Sequence, residues 1–379
     1  MVLGASTLED KTLSGKAKMM NKLKPGNIKK LPREDIDRIL IRGTNWIGDA
    51  ILTLPAVASI RATYPQAHIA MLVKPWVADI YKIFSAVDEI IIYDNKFDTP
   101  IGVFRLARML KGKKFDAAIL LQNAIEAAII TLAAGIPLRA GYDSDARGLL
   151  LTHRVHRTDE IRKVHQIDYY LEMVKALGCV SVDREMHLET KINLLAARDT
   201  LLKFIPETKK TLIGIAPGAT YGTAKQWFPD RFAAVADKLN EKYSTQGILL
   251  GGRADGETTQ EIQKLARAEL INLAGETTLL EAIYLISQCR LFISNDSGLM
   301  HIAGALNIPT IAIFGSTNPI TTSPVGNKSI IIRKEVSCSP CLKKTCPTDF
   351  RCMSMISVED IVQVAQNLMR LAENERSEV

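Results

Sequence analysis

The sequence predicts an α/β protein of two Rossmann-like domains, each a doubly wound parallel sheet with helices on its faces. Three observations carry this. The chain has 379 residues, long for one domain and comfortable for two. Its composition, 47% hydrophobic and 23% charged, suits a globular protein with a core in each half and excludes wholesale disorder. Finally, one layout is written twice: apolar strand, glycine-bearing loop, amphipathic helix, apolar strand. That is the βαβ unit of a parallel sheet.

Taken in order, residues 1–35 read as a basic tail. Lys11, Lys16, Lys18, Lys22, Lys24, Lys29 and Lys30 stand against Glu9 and Asp10, so residues 1–30 hold +5 of the formal +7. Such a tail is either a solvated terminus or an attraction to an anionic membrane surface. The rest is nearly neutral, without a basic stripe interleaved with aromatics, so nucleic-acid binding is not expected.

Residues 36–185 form the first domain. Ile39-Leu40-Ile41 is its first strand, and Arg42 to Asp49 the loop after it. Ala50, Leu54, Val57 and Ala58 then recur at helical spacing, with Pro55 marking the first turns or a kink. His68–Val73 and Ala117–Leu121 are further strands. A polar linker, 186–210, ends in Lys209-Lys210. Residues 211–356 repeat the plan: strand Leu212–Ala216, loop from Pro217, helix Pro229–Tyr243, strand Gly247–Gly252. Strands Leu291–Ser294 and Thr310–Phe314 follow, with a helix from Met300 to about Leu306 between them. Residues 357–379 give a C-terminal helix and tail. The longest apolar stretch, Ala127–Leu138, contains Gly135 and Pro137 and falls short of the roughly 20 residues a bilayer needs. With no secretory signal either, the expected location is the cytoplasm.

Two such domains are expected to set the carboxyl ends of their sheets across one cleft, where ligands bind. In the second domain Ser294-Asn295-Asp296-Ser297-Gly298-Leu299-Met300-His301 follows a strand and opens a helix. The N–H groups of such a helix start form an anion site, although Asp296 or Ser297 also reads as a plain N-cap. Gly218, Thr220 and Lys225 lie in the loop 217–227 and suit a diphosphate, without the spacing of an ATP-hydrolysing P-loop. Gly252, in Gly251-Gly252-Arg253 with Asp255 and Glu257, stands where a ribose could be flanked. In the first domain Asp49 reads either as a helix-start carboxylate or as a general base, ionised at neutral pH by its ordinary pKa of about 3.9.

The blocks Arg42-Gly43-Thr44-Asn45-Trp46-Ile47-Gly48-Asp49, Gly218 to Gly222, Ser294 to His301 and Phe314 to Pro319 together resemble glycosyltransferase family 9, the lipopolysaccharide heptosyltransferases. The resemblance spans roughly 37–355 and implies a GT-B fold. It implies inverting, metal-independent transfer of heptose from ADP-heptose to the first heptose of the inner core, on a heptosyl-Kdo2-lipid A acceptor, with no cofactor required. Asp49 would deprotonate the acceptor hydroxyl, near Arg42, Asn45, Trp46 and Gly48. Lys225 and the Ser297–His301 helix start would hold the departing ADP, and Asp296 would orient the donor sugar. The acceptor glycolipid implies peripheral contact with the inner membrane. The rival readings are another nucleotide-sugar enzyme of this fold, such as a 2-epimerase, and a non-catalytic nucleotide-binding protein.

Three further features compete for attention. Asp143-Ser144-Asp145 has the D-x-D form of a metal-dependent transferase but lies in a turn-rich stretch and reads as a loop. Nearby Arg139, Arg147, Arg154 and Arg157 suit either acceptor phosphates or a solvated face. Cys338, Cys341, Cys346 and Cys352 allow a structural zinc site or stay as thiols, whereas a catalytic metal is not expected. His68, His153, His156, His165 and His187 have no ligand spacing and read as structural or surface residues.

Overall fold

The computed structural model describes residues 2–4, 28–184, 188, 199–200, 202–205 and 210–377. Most of the basic tail and of the linker, His187 included, lie outside the described residues. The chain divides between Met186 and His187 into two compact units, the first residues going with the second unit. A short strand, β1 (Val2–Gly4), opens the chain.

The first unit is a six-stranded, all-parallel sheet. Its strands are β2 (Arg38–Arg42), β3 (His68–Val73), β4 (Glu89–Ile92), β5 (Ala117–Leu120), β6 (Leu138–Tyr142) and β7 (His153–Val155), in the order β4-β3-β2-β5-β6-β7. Covered on both faces, the central strands are runs of Ile, Leu, Ala and Met buried at nearly every position. The helices are α1 (Ile47–Thr63), α2 (Ala78–Lys82), α3 (Pro100–Gly112), α4 (Ile125–Ala133) and α5 (Gln166–Ala176). Leu106 and Leu110 of α3 and Ala127 and Ile130 of α4 pack with Leu40, Leu72 and Leu120 into one core. Helix α1 runs unbroken through Pro55. The ring is buried with the rest of that turn, so packing outweighs the missing backbone hydrogen bond.

The second unit repeats the design. Its parallel strands are β8 (Thr211–Ala216), β9 (Thr245–Leu249), β10 (Leu270–Asn272), β11 (Leu291–Asn295), β12 (Thr310–Ile313) and β13 (Ser329–Ile332). The order is β13-β12-β11-β8-β9-β10, with β1 antiparallel on the β13 edge. Helices α6 (Pro229–Tyr243), α7 (Gly256–Leu265), α8 (Leu279–Ser287), α9 (Gly298–Ala305), α10 (Pro319–Thr322), α11 (Arg351–Ser354) and α12 (Val358–Ser377) complete it. Strand β9 starts and ends earlier than Gly247–Gly252, because Gly251 and Gly252 form the turn into α7. The C-terminal helix joins the second unit's core through Ile361, Ala365 and Leu368.

Counted along the chain, the strands of each unit lie in the order 3-2-1-4-5-6. Connections leave in opposite directions between strands 1 and 4, which opens a crevice at their carboxyl ends. Those crevices lie at β2/β5 and at β8/β11.

Candidate active site

In the second unit the crevice is lined by the loops after β8, β11 and β12. Ser297 caps α9, its Oγ accepting from Met300 N at 3.4 Å and lying 2.9 Å from Ser294 Oγ. Gly298 and Leu299 open the helix, and helix geometry leaves their N–H groups without acceptors inside it. Beside them Lys225 Nζ donates to Asp296 Oδ2 at 2.6 Å, and Thr317 Oγ1 donates to the same oxygen at 2.6 Å. The ion pair is largely buried, the side chains 14% and 5% exposed. Lys225 also stands 5.1 Å over the Tyr221 ring. An ammonium has three donors, so two N–H bonds remain for a ligand beyond the one to Asp296.

His301, buried on α9, lies within electrostatic reach of this pair. Burial, reinforced by the Lys225 charge and opposed by Asp296, lowers its pKa to about 4, so the ring is neutral near pH 7. Its Nδ1, like Ser316 Oγ, is buried with no hydrogen-bond partner among the described residues. Buried polar atoms are normally paired, and these two leave hydrogen-bonding capacity at the crevice.

Other expected contacts go elsewhere. Asn295 is wholly buried. Its Nδ2 donates to Pro217 O at 2.6 Å and its Oδ1 accepts from Trp227 N at 3.1 Å. It ties the β8 and β11 loops together and leaves little for a ligand. The Met300 side chain belongs to the core with Ala312, Phe314 and Ile331. The space that a side chain at Gly218 would need is filled by the Asp255 carboxylate. Asp255 accepts from Gly252 N at 2.8 Å, and burial raises its pKa. Gly218 and Gly252 therefore serve this packed turn first. Thr220 and Glu257 are exposed, Glu257 in the first turn of α7.

The loop 217–227 is braced from behind by the cysteine-bearing segment. Ala224 N donates to Lys344 O at 3.0 Å, and Tyr221 Oη to Leu342 O at 2.9 Å. Gly222 (φ +153°) fits against Lys344, whose carbonyl would collide with any Cβ there. Leu342 N in turn donates to Ser316 O. Of the four cysteines, Cys352 is buried in the core and Cys338 is exposed, and burial together with the nearby Cys338, Cys346 and Cys341 raises the Cys352 thiol pKa. Among the described residues no three His, Cys, Asp or Glu side chains meet the geometry of a metal site.

In the first unit Asp49 stands half-buried in the first turn of α1, where the helix dipole favours a carboxylate. Trp46 is the N-cap residue and makes no side-chain cap. Its indole is 61% exposed, beside a second exposed tryptophan, Trp76, whose Nε1 donates to Asn45 O at 2.7 Å. Gly48 shares that first turn with Asp49. Arg42 does not reach outward. It is 1% exposed, donates to Gly43 O, Leu72 O and Asn45 Oδ1, and stacks on Tyr93 at 5.1 Å. Burial lowers its pKa to about 10. Arg42 therefore stiffens the loop that presents Asn45 and Trp46. Sequence reasoning missed Trp76, Lys74 and Tyr93, although each follows a strand at the ligand-binding end of the sheet. Lys74 Nζ bonds Asp98 Oδ1 at 2.6 Å and lies 4.1 Å over Tyr93, whose hydroxyl donates to Glu126.

Of the remaining basic and acidic candidates Arg154 is exposed, and the others hold parts of the fold together. Arg147 is fully buried, donating to the carbonyls of Tyr142 and Gln122, with its pKa lowered to about 10 by burial. Arg139 donates to Leu150 O and Ile136 O. Asp143 accepts from Arg157 N and meets His156, and Asp145 and Ala146 take left-handed turn conformations. The D-x-D triplet is a loop.

The geometry thus offers an open helix start beside a lysine in one unit and a helix-start carboxylate beside exposed tryptophans in the other. Residues 103–350 match the profile of glycosyltransferase family 9 (heptosyltransferase). Lipopolysaccharide heptosyltransferase 2 of Salmonella typhimurium is 31% identical over 315 residues, covering 78% of this chain and 88% of the relative. That of Escherichia coli K12 is 32% identical over 309 residues, with the same coverage. The solved structure of E. coli ADP-heptose lps heptosyltransferase II superposes with a TM-score of 0.77 at 27% identity, over 89% of this chain and 99% of that one. A glycosyltransferase of family 9 from Veillonella parvula shares the fold at a TM-score of 0.80 and 24% identity, covering 90% of this chain and 99% of its own. The chain is a GT-B enzyme and belongs to glycosyltransferase family 9, the heptosyltransferases.

Proposed function

We propose that the enzyme transfers L-glycero-D-manno-heptose from ADP-heptose to the first heptose of the lipopolysaccharide inner core, with inversion and without a cofactor. The observation that carries this is the Lys225–Asp296 pair beside the open start of α9, at the point where the sheet order reverses. A departing diphosphate needs fixed donors and a cation as its negative charge grows, and these residues supply both in a partly dry setting. The relatives' names supply the sugar and the nucleotide.

Residues 211–356 bind the donor on this reading. The Gly298 and Leu299 N–H groups and Lys225 hold the diphosphate, and Asp296, fixed by Lys225 and Thr317, orients the heptose hydroxyls. Residues 36–185 bind a heptosyl-Kdo2-lipid A, and the enzyme works at the cytoplasmic face of the inner membrane. Among the described residues no helix is long and apolar enough to cross a membrane. Asp49 takes the proton from the attacking hydroxyl as it displaces ADP from the anomeric carbon. Trp46 and Trp76 offer flat apolar surface to the acceptor sugars.

The test is incubation with ADP-heptose and monoheptosylated Kdo-lipid A, read by mass spectrometry as the gain of one heptose. Asp49→Asn is expected to keep ADP affinity and lose about 10²-fold or more in rate. A variant that turns over normally removes the proposed base, and a wild type that transfers nothing removes the substrate assignment.

A further inference from the structure

Besides Trp46 and Trp76, the exposed large apolar side chains of the first unit lie on α3, on α4 and in the turn 147–150. Ile125, Ile129 and Leu132 of α4 stand at i, i+4 and i+7, one line along the helix, and are 41–44% exposed. On α3, Ile101 and Phe104 are 68% and 67% exposed, one turn apart. Both helices send their opposite sides into the same core over the same sheet face, so their outward sides share one surface. Leu149, 92% exposed, joins them from the turn 147–150, whose Leu150 packs on that core.

The unpaired charges on and just after α3 have one sign. Arg105, Arg108, Lys111 and Lys114 are exposed and form no ion pair among the described residues. Of the acids flanking these elements, Asp98 is held by Lys74, Asp116 by the Asp37 and Arg38 N–H groups and Glu126 by Tyr93, and Asp145 is exposed before the Leu149 turn. Apolar patches of this kind mark interaction sites. A second copy of the chain is a poor occupant, because a two-fold contact would set these four cations against themselves. An anionic bilayer surface matches both features: Ile101, Phe104 and Ile129 enter the acyl boundary while the cations meet the headgroups.

We infer that the outward face of α3 and α4 is the surface by which this enzyme docks on an anionic lipid bilayer. Strands lead into these helices at the carboxyl end of the sheet, so the face begins at the end where Asp49 stands. On the proposed reading, that lets a lipid-borne acceptor arrive sugar first.

The experiment is flotation of the full chain with phosphatidylcholine vesicles that do or do not contain about one third phosphatidylglycerol. The vesicles carry no acceptor, so docking is read separately from transfer. Phe104→Ser with Ile129→Ser, and separately Arg105→Glu with Arg108→Glu, are expected to lower the bound fraction on anionic vesicles, the charge pair by at least about tenfold. Wild-type binding is expected to weaken on neutral vesicles and in high salt. All four positions are solvent-facing, so the melting temperature should stay that of the wild type. Failure of the wild type to bind, or variants that float like it through the lysine-rich N-terminus alone, overturns the inference. So does a dimer in sedimentation that the serine variant dissociates, which assigns the face to a second copy.

Discussion

A neutral imidazole within reach of an ion pair makes the protonation of His301 costly to the folded state. Its folded pKa of about 4 lies below the unfolded value near 6.5. The unfolded chain therefore binds a proton that the folded one refuses. Stability from this residue is complete above pH 6.5, declines as pH falls from 6.5 to 4, and is fully lost below. The loss amounts to at most about 3 kcal/mol. Urea titrations between pH 7 and pH 4 should show this slope, and His301→Asn should flatten it. An unchanged slope in the variant would mean that other groups carry the acid sensitivity. The Lys225–Asp296 pair answers to the same burial. Removing either partner strands a charge at a cost of about 3–5 kcal/mol, so loss of activity in such variants needs a stability control.

At the scale of the element, the donor-side loop owes its shape to a neighbour far along the chain. Gly222 has a conformation and a clearance that a side chain cannot share, because Lys344 O occupies the space. Gly222→Ala is expected to push the 335–350 segment off the loop, weakening ADP about tenfold or more, as a misplaced binding group does. Calorimetric titration with ADP checks it, and wild-type affinity in that variant would show that the brace is dispensable. Elements with long apolar or amphipathic stretches were legible in advance: β3 and α6 have the ends His68–Val73 and Pro229–Tyr243 that the sequence suggested. Strands β7 and β10, three residues each, were not. Neither was β6, where Arg139 and Gly141 break the apolar run. In such strands pairing with neighbours, not local composition, decides the conformation.

For the molecule as a whole, the doubled design was readable because each half repeats strand, loop, helix and strand with its own apolar runs. The blocks around Asp49, Lys225 and Asp296 were legible for the same reason, standing where strands end. What the sequence did not disclose were partners distant in the chain: Thr317 on Asp296, Asp255 over Gly218, Trp76 on Asn45. Nor did it reveal that Arg42, Arg147 and Asn295 point inward, since a polar side chain does not announce its burial, or that Met300 serves the core and not a ligand. The two cores share no residue. Scanning calorimetry should therefore resolve two transitions, with ADP at about 100 times its Kd raising one of them by about 2.7 kcal/mol in apparent stability. A single transition that moves as a unit would mean the cores melt together.

Because α12 supplies Ile361, Val364, Ala365 and Leu368 to the same core as Ile293, Ile311 and Ile313, the codons for residues 358–369 are as exacting as those for the central strands. A nonsense mutation at Ser357 would spare every loop that handles substrate. The shortened product would still leave the ribosome with a bare oily flank on its second half, ready for proteases or inclusion bodies.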